Sequence, residues 1–281
     1  MRADICATVR IVSHMVAKRG DLMAVKVLKL ASLRVFSKHP VLDQFASDMV
    51  SGIDPRNLPT KRINLYIGVH RSYGLALFRR GVRIGVQTEH YFDENGTVMW
   101  ARHSRAAAIK NLILYHRILD LSPANHKFYQ RLPGFLRRRV IYGPYIFPCH
   151  PVEHQPGTGS FVFYGGQNDR RDRALSSLPD GYCKALFKVY GAPLSTEISK
   201  SKGVVNIHIT DGIYTEYPRL LSAYIHGKPL ISEALSSDLV AGVDYGEIGK
   251  PYSPCDLRNI FTDFRESYAL RYRLTDFLGS I

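Results

Sequence analysis

Short apolar, β-rich runs recur along this chain, and most are closed by a glycine or polar turn and followed by a segment of helical character. Residues 63–69 (INLYIGV), 82–88 (VRIGVQT), 161–164 (FVFY), 185–189, 204–209 and 229–232 are such runs. Runs this short and this apolar suit strands buried on both faces. Between them, residues 73–80, 104–119, 125–132, 194–200 and 214–225 read as helices, and residues 168–173 open another. Strand, crossover helix and strand with short links make a βαβ unit, so the chain is predicted to be α/β with parallel sheet. A strand near residues 140–142, a loop over 51–60 (SGIDPRNLPT) and closing helices over 256–278 complete the pattern. Met23, Val27, Leu30 and Leu33 recur at helical spacing, which predicts a helix over 21–36.

A chain of 281 residues is long for one core and right for two domains. Residues 148–160 (PCHPVEHQPGTGS) hold three Pro, two Gly and almost no apolar side chain, which reads as a linker. The expected organisation is two Rossmann-like domains facing a cleft, 1–147 and 161–281, the second with closing helices.

With 38 Lys and Arg against 24 Asp and Glu, the chain carries a formal +14, which attracts nucleic acid, nucleotide phosphates or an anionic membrane. The basic residues look spread over most of the chain, which argues against a nucleic-acid surface. The run Arg137-Arg138-Arg139 reads as a solvated face or a contact to lipid phosphates. Cysteines at 6, 149, 183 and 255 form no CxxC pair, so they read as reduced thiols and no metal site is expected. Arg2, Asp4, Arg10 and His14 interrupt any leader-like apolar run, and no run approaches a membrane span. The expected location is cytoplasmic, with peripheral contact to an anionic membrane left open.

Two turns carry the chemistry. After the run 161–164 come Gly165 and Gly166, then Arg170 and Arg171. Glycines let backbone approach a ligand, N–H groups at a helix start favour an anion, and arginines clamp phosphate oxygens; the other reading is a tight turn with solvated arginines. The pattern is neither GxGxxG nor a P-loop. After the run 204–209, His208 closes a buried strand, and a turn with Gly212, Tyr214 and Thr215 leads to a helix bearing Glu216 and Arg219. Glu216 is placed to accept from ribose hydroxyls, or else to complement the helix dipole or pair with Arg219.

On these residues the stretch 161–250 resembles the donor-binding half of GT-B glycosyltransferases, near the CgeB-like and group-one branches of bacterial and viral type. Asn206, Ile207, His208, Glu216, Pro218, Arg219, Ala223, Gly227, Lys228, Pro229, Ser232 and Glu233 carry the resemblance, and residues 85–89 resemble a cleft-facing strand end. Two departures stand out. The retaining pattern places a second glutamate where this chain has Tyr224, and Asp169-Arg170-Arg171-Asp172 is not a DxD metal motif. The resemblance implies metal-independent transfer of a sugar from a nucleotide-sugar, a substrate rather than a cofactor, to a glycan or other hydroxyl acceptor. It implies that Gly165, Gly166, Arg170, Arg171, His208, Gly212, Tyr214, Thr215, Glu216 and Arg219 hold the donor. The N-terminal half, which looks abbreviated for such a fold, would hold the acceptor and a general base: Glu89 first, with His70 and His90 as the other candidates. A GT-B-like protein that binds without transfer, and a basic nucleic-acid-binding protein, are the competing readings.

Overall fold

The computed structural model describes residues 10–14, 25–99 and 105–281. The chain divides into two units. Among the described residues, the first holds 10–14, 25–89, 105–149 and 274–281, and the second holds 90–99 and 150–273.

The first unit is built on a seven-stranded sheet whose order follows the chain: β1 (Arg10–His14), β2 (Val25–Leu30), β3 (Leu33–Ser37), β4 (Ile63–Ile67), β5 (Val82–Gln87), β6 (Arg117–Asp120) and β7 (Val140–Tyr142). β1, β2 and β3 pair antiparallel, and β3 to β7 pair parallel. Every residue of β4 is buried, which is why INLYI shows no polar alternation. Its polar member, Asn64, donates to the carbonyl of Arg80 at 3.1 Å.

The crossovers are α1 (Pro40–Ser51), a 3-10 turn (Gly74–Phe78), α2 (Arg105–Leu114), and the one-turn helices α3 (His126–Tyr129) and α4 (Gly134–Arg137). α1 buries Leu42, Phe45, Ala46, Met49 and Val50, an apolar stripe at helical spacing. Tyr66 of β4 stacks on Phe36 at 4.6 Å and meets Tyr73 at 5.3 Å and Tyr115 at 5.5 Å. The C-terminal helix Leu274–Gly279 also belongs here: the Leu274 N–H donates to the Phe147 carbonyl at 2.9 Å, and Phe277 stacks on Tyr145.

The second unit holds β8 (Phe161–Gly165), α5 (Asp169–Ser176), β9 (Cys183–Phe187), α6 (Ala192–Lys200), β10 (Val204–Asn206), α7 (Tyr217–Ile225), β11 (Leu230–Ser232), β12 (Gly246–Glu247) and α8 (Pro254–Ser267). Its parallel sheet is ordered β12-β11-β10-β8-β9. Phe161, Phe163, Val205, Ile207 and Ile231 form the core with Leu257 of α8. α7 buries seven of its nine residues, and α8 starts with a capping box between Ser253 and Asp256.

Several expectations are corrected. The described part of 21–36 is a hairpin, β2–β3, not a helix; residues 21–24 lie outside the described residues. Val27, Leu30 and Leu33 are three apart, a helical spacing, but Val25-Lys26-Val27 and Leu33-Arg34-Val35 alternate as strands do, and pairing with β4 decides the matter. Residues 104–119 split into α2 and β6, because Ile118 and Leu119 pair with β5. The first sheet has more strands than the second, so the first unit is not abbreviated in its sheet; two of its crossovers carry only a 3-10 turn or one-turn helices. The two units are not contiguous in sequence: 90–99 joins the second and 274–281 the first. α7 begins at Tyr217, so Glu216 is its N-cap rather than a first-turn residue.

In the β2–β3 turn, Ala31 has φ 49°. A β-carbon is disfavoured there, so Ala31→Gly is expected to stabilise the first unit by about 1 kcal/mol, read as a higher midpoint in urea.

Cys149, Cys183 and Cys255 are free thiols, and Cys6 lies outside the described residues. Burial pushes the Cys183 thiol up to about 12, so it stays protonated and unreactive. Among the described residues no helix is long and apolar enough to cross a membrane, and no group of three His, Cys, Asp or Glu stands ready to hold a metal ion.

Candidate functional site

In the second sheet β8 has β9 on one side and β10 on the other, so the strand order reverses between β8 and β10. In open parallel sheets the crevice outside the carboxyl ends of two such strands is where ligands bind. The residues there are Gly165, which closes β8, and Gly166 after it, and Asn206, which closes β10, with Ile207 and His208 just beyond.

Local rules bring two arginines to this point. Asn168 caps α5, its side chain accepting from the Arg171 N–H at 2.9 Å, which sets Arg170 and Arg171 in the first turn. Arg171 is 3% exposed; it donates to the Ile207 carbonyl at 2.9 Å, the Gly166 carbonyl at 2.9 Å and Glu216 Oε1 at 2.8 Å. Arg219, on α7, donates to Glu216 Oε2 at 2.8 Å, to the Tyr164 carbonyl at 2.9 Å and to Asn206 Oδ1. Both guanidinium groups lie over the Phe163 ring, at 5.4 and 5.2 Å. Gly165 has φ +152°, and a β-carbon there would stand 2.9 Å from Arg219 Nη2 and 3.3 Å from Arg171 Nη1. The glycine keeps open the space between two cations.

Glu216 engages both carboxylate oxygens with these arginines, so of the roles the sequence leaves open the structure displays the ion pair. Burial would raise its pKa; Arg219 and Arg171 overcome that and hold it below the ordinary glutamate value. Burial lowers the Arg171 pKa, with Glu216 opposing. Two guanidinium groups share one carboxylate beside the glycine turn, while Arg170 meets two carboxylates, Glu233 and Asp211, further out, so positive charge is concentrated at the turn within a network of three arginines and three carboxylates.

Arg170 sits toward solvent. It binds Glu233 through two bonds, at 3.0 and 2.8 Å, Asp211 at 2.5 Å and the His208 carbonyl at 2.8 Å. Glu233, with Asp211, raises its pKa. Four of its five N–H donors are committed within the protein, so it braces the β8 and β10 ends. His208 is buried and stacked on Tyr214 at 4.1 Å, and its Nδ1 lies 3.1 Å from the Gly212 carbonyl. Its Nε2 has no hydrogen-bond partner among the described residues. Burial lowers the His208 pKa against the opposing fields of Glu216 and Glu233. Gly212, at φ +137°, Tyr214 and Thr215 shape the loop: the Tyr214 hydroxyl accepts from the Ile209 N–H at 3.0 Å, and Thr215 Oγ1 accepts from the Ser236 N–H at 3.2 Å.

His90 belongs to the second unit, where its Nε2 donates to the Thr215 carbonyl at 2.8 Å and its ring packs on Tyr214 and Tyr217. Burial pushes its pKa down to about 4.

In the first unit, His70 and Glu89 do meet, Nδ1 to Oε1 at 3.4 Å. Arg71 Nε donates to His70 Nε2 at 3.1 Å, so the ring proton of the neutral tautomer lies on Nδ1, toward Glu89. The Glu89 carbonyl accepts from Gln87 at 2.8 Å and Asn125 at 3.0 Å, and Asn125 also donates to Asp120. Asp120 is fully buried, and burial pushes its carboxyl up to about 7 despite bonds from Ser122 and Asn125. Sequence reading missed Asp120, Asn125 and the bracing roles of Asn206 and Glu233. The available signal was a polar residue closing a buried run.

No protein-family model and no curated protein matches the chain. Among solved structures it is similar to TarM, at 12% identity and TM-score 0.45, over 84% of this chain and 57% of that one. It is similar to a variant of S. aureus TarM in complex with fondaparinux, α-GlcNAc-glycerol and UDP, at 12% identity and TM-score 0.47, over 77% and 54%. It is also similar to the GtfA/B complex bound to UDP and GlcNAc, at 9% identity and TM-score 0.37, over 92% and 64%. The chain spans less than two thirds of each of these proteins.

Proposed function

We propose that the second unit binds the diphosphate of a nucleotide-sugar and that the protein transfers the sugar to an acceptor hydroxyl, without a metal. One observation carries this reading: a β-carbon-free turn at the switch point of a parallel sheet, flanked by two buried arginines that share a single carboxylate. The departing nucleoside diphosphate gains negative charge as the bond from the sugar C1 to the phosphate oxygen breaks. Preorganised cations offset that charge. As the bond from the acceptor oxygen to C1 forms, the acceptor proton goes to a base, for which Glu89, with His70 against it, is proposed. The resemblance to GT-B glycosyltransferases supports the same reading.

The test is thermal shift of the full chain with UDP, GDP and their sugar conjugates, followed by product detection. One nucleotide should stabilise the protein. Gly165→Val should abolish that shift, because its side chain would enter the space between Arg171 and Arg219. No response to any nucleotide would overturn the proposal. Glu89→Gln should keep the shift and lower the transfer rate by about 100-fold, the usual size of a general-base contribution; an unchanged rate removes Glu89 from the mechanism.

Binding without transfer is the second reading. Tyr224, where the retaining pattern has a glutamate, is buried, stacks on Phe261 at 5.6 Å and accepts from the Val152 N–H at 3.2 Å, a structural role. A nucleotide-induced shift with no product from any donor would establish it.

A further inference from the structure

The net positive charge of the chain is segregated. Residues 25–89, 105–149 and 274–281 of the first unit hold 19 Lys and Arg against 6 Asp and Glu; residues 90–99 and 150–273 of the second hold 14 against 16. The basic residues are spread over both units, as the sequence reading expects; it is the acidic residues that the first unit lacks. Within residues 55–139 of the first unit the only carboxylates are Glu89, which faces His70, and the buried Asp120. Arg80, Lys110, Arg117, Arg131, Arg137 and Arg138 are all exposed.

Three large apolar side chains stand among these cations. Phe78 is 80% exposed, Phe135 68% and Ile113 64%. Phe78 ends the 3-10 turn just before Arg79 and Arg80. Ile113 lies on the same face of α2 as Lys110, one turn away. Phe135, in α4, lies between Arg131 and Arg137. These segments are successive crossovers between neighbouring parallel strands, β4 to β5, β5 to β6 and β6 to β7. Right-handed crossovers that advance in one direction share one face of the sheet. Contacts agree: Tyr66 touches both Tyr73, which precedes the 3-10 turn, and Tyr115, which follows α2, and Arg139 Nη1, just past α4, donates to the Leu112 carbonyl of α2 at 2.8 Å.

We propose that this crossover layer docks the protein on an anionic phospholipid surface. The cations meet headgroup phosphates, and Phe78, Ile113 and Phe135 enter the boundary between headgroups and acyl chains. Charge complementarity alone suits any polyanion. The apolar tips select the bilayer, because a nucleic acid in water satisfies the arginines and leaves Ile113 exposed.

The test is co-sedimentation of the full chain with phosphatidylcholine vesicles, with and without phosphatidylglycerol. Binding is expected only to the anionic vesicles, weakened by salt. Phe78→Ser/Ile113→Ser/Phe135→Ser should weaken it at least about tenfold, as should Arg80→Glu/Lys110→Glu/Arg138→Glu. All six positions are exposed, and an unchanged melting temperature verifies that each variant folds. Failure of the wild type to bind anionic vesicles overturns the proposal. So does full binding by either triple variant, or binding to single-stranded RNA or duplex DNA that outcompetes the vesicles and is unaffected by the serine substitutions.

Discussion

Glu216→Ala will cost the second unit about 3–5 kcal/mol, the usual penalty for leaving buried charge without its partner. The substitution strips the shared carboxylate from Arg171 and Arg219, which are 3% and 5% exposed and whose guanidinium groups flank Gly165. Urea denaturation followed by circular dichroism reads the loss. Glu216→Gln keeps the shape and one acceptor, so its cost should be smaller. A melt indistinguishable from wild type would mean that the arginines do not depend on this carboxylate. The same variant separates two roles for Glu216 toward ligand. If it serves as counter-ion, a diphosphate replaces the missing negative charge, and UDP stabilises Glu216→Ala more than wild type. If it holds the ribose, UDP stabilises the variant less.

Acidification from neutral pH to about pH 4 is expected to move the two units in opposite directions. In the second unit, His90 titrates at about 4 when folded and near 6.5 when unfolded. Between those values the unfolded chain takes up a proton that the folded unit refuses. Stability is therefore full above 6.5 and falls by about 2–3 kcal/mol as the pH drops through the window. Burial lowers the His208 pKa in the same sense. In the first unit, the Asp120 carboxyl titrates at about 7 when folded and near 3.8 when unfolded. There the folded unit takes up the proton first, so its stability is lowest above pH 7 and rises by about 4 kcal/mol as the pH falls to 3.8. Hydrogen exchange resolved by segment should show faster opening of 150–273 and slower opening of 105–149 on acidification. His90→Asn should flatten the first trend and Asp120→Asn the second. Parallel trends in both units, unchanged by either substitution, would remove these groups as the cause.

Much of the β scaffold was legible. The runs 63–69, 82–88 and 161–164 are strands because continuous apolar sequence of that length has to be buried on two faces, and they lie in the sheets as expected. The glycine turn and its arginines were legible too, since β8, Asn168 and α5 are local neighbours. The partners of those arginines were not. Arg171 reaches Glu216 across 45 residues and Arg170 reaches Glu233 across 63. Whether a guanidinium faces solvent, a ligand or an internal carboxylate depends on which strand ends lie side by side. The hairpin at 25–37 was illegible for a related reason: a helical spacing at Val27, Leu30 and Leu33 competes with short alternating stretches, and pairing with β4 selects the strand.

Membership of the units shows the same limit. Residues 90–99 belong to the second unit because the Glu94 N–H donates to the Ile213 carbonyl and His90 to that of Thr215, more than a hundred residues away. The alternation of short apolar runs with helical segments determined that the chain is α/β, and composition that it carries a large positive excess. The excess already lies in the N-terminal half of the sequence; only the fold decided that part of it falls on successive crossovers that also carry Phe78, Ile113 and Phe135. Periodicity is a local property that a sequence displays directly. The company a charge keeps is set by contacts between distant segments, and those exist only once the chain has folded.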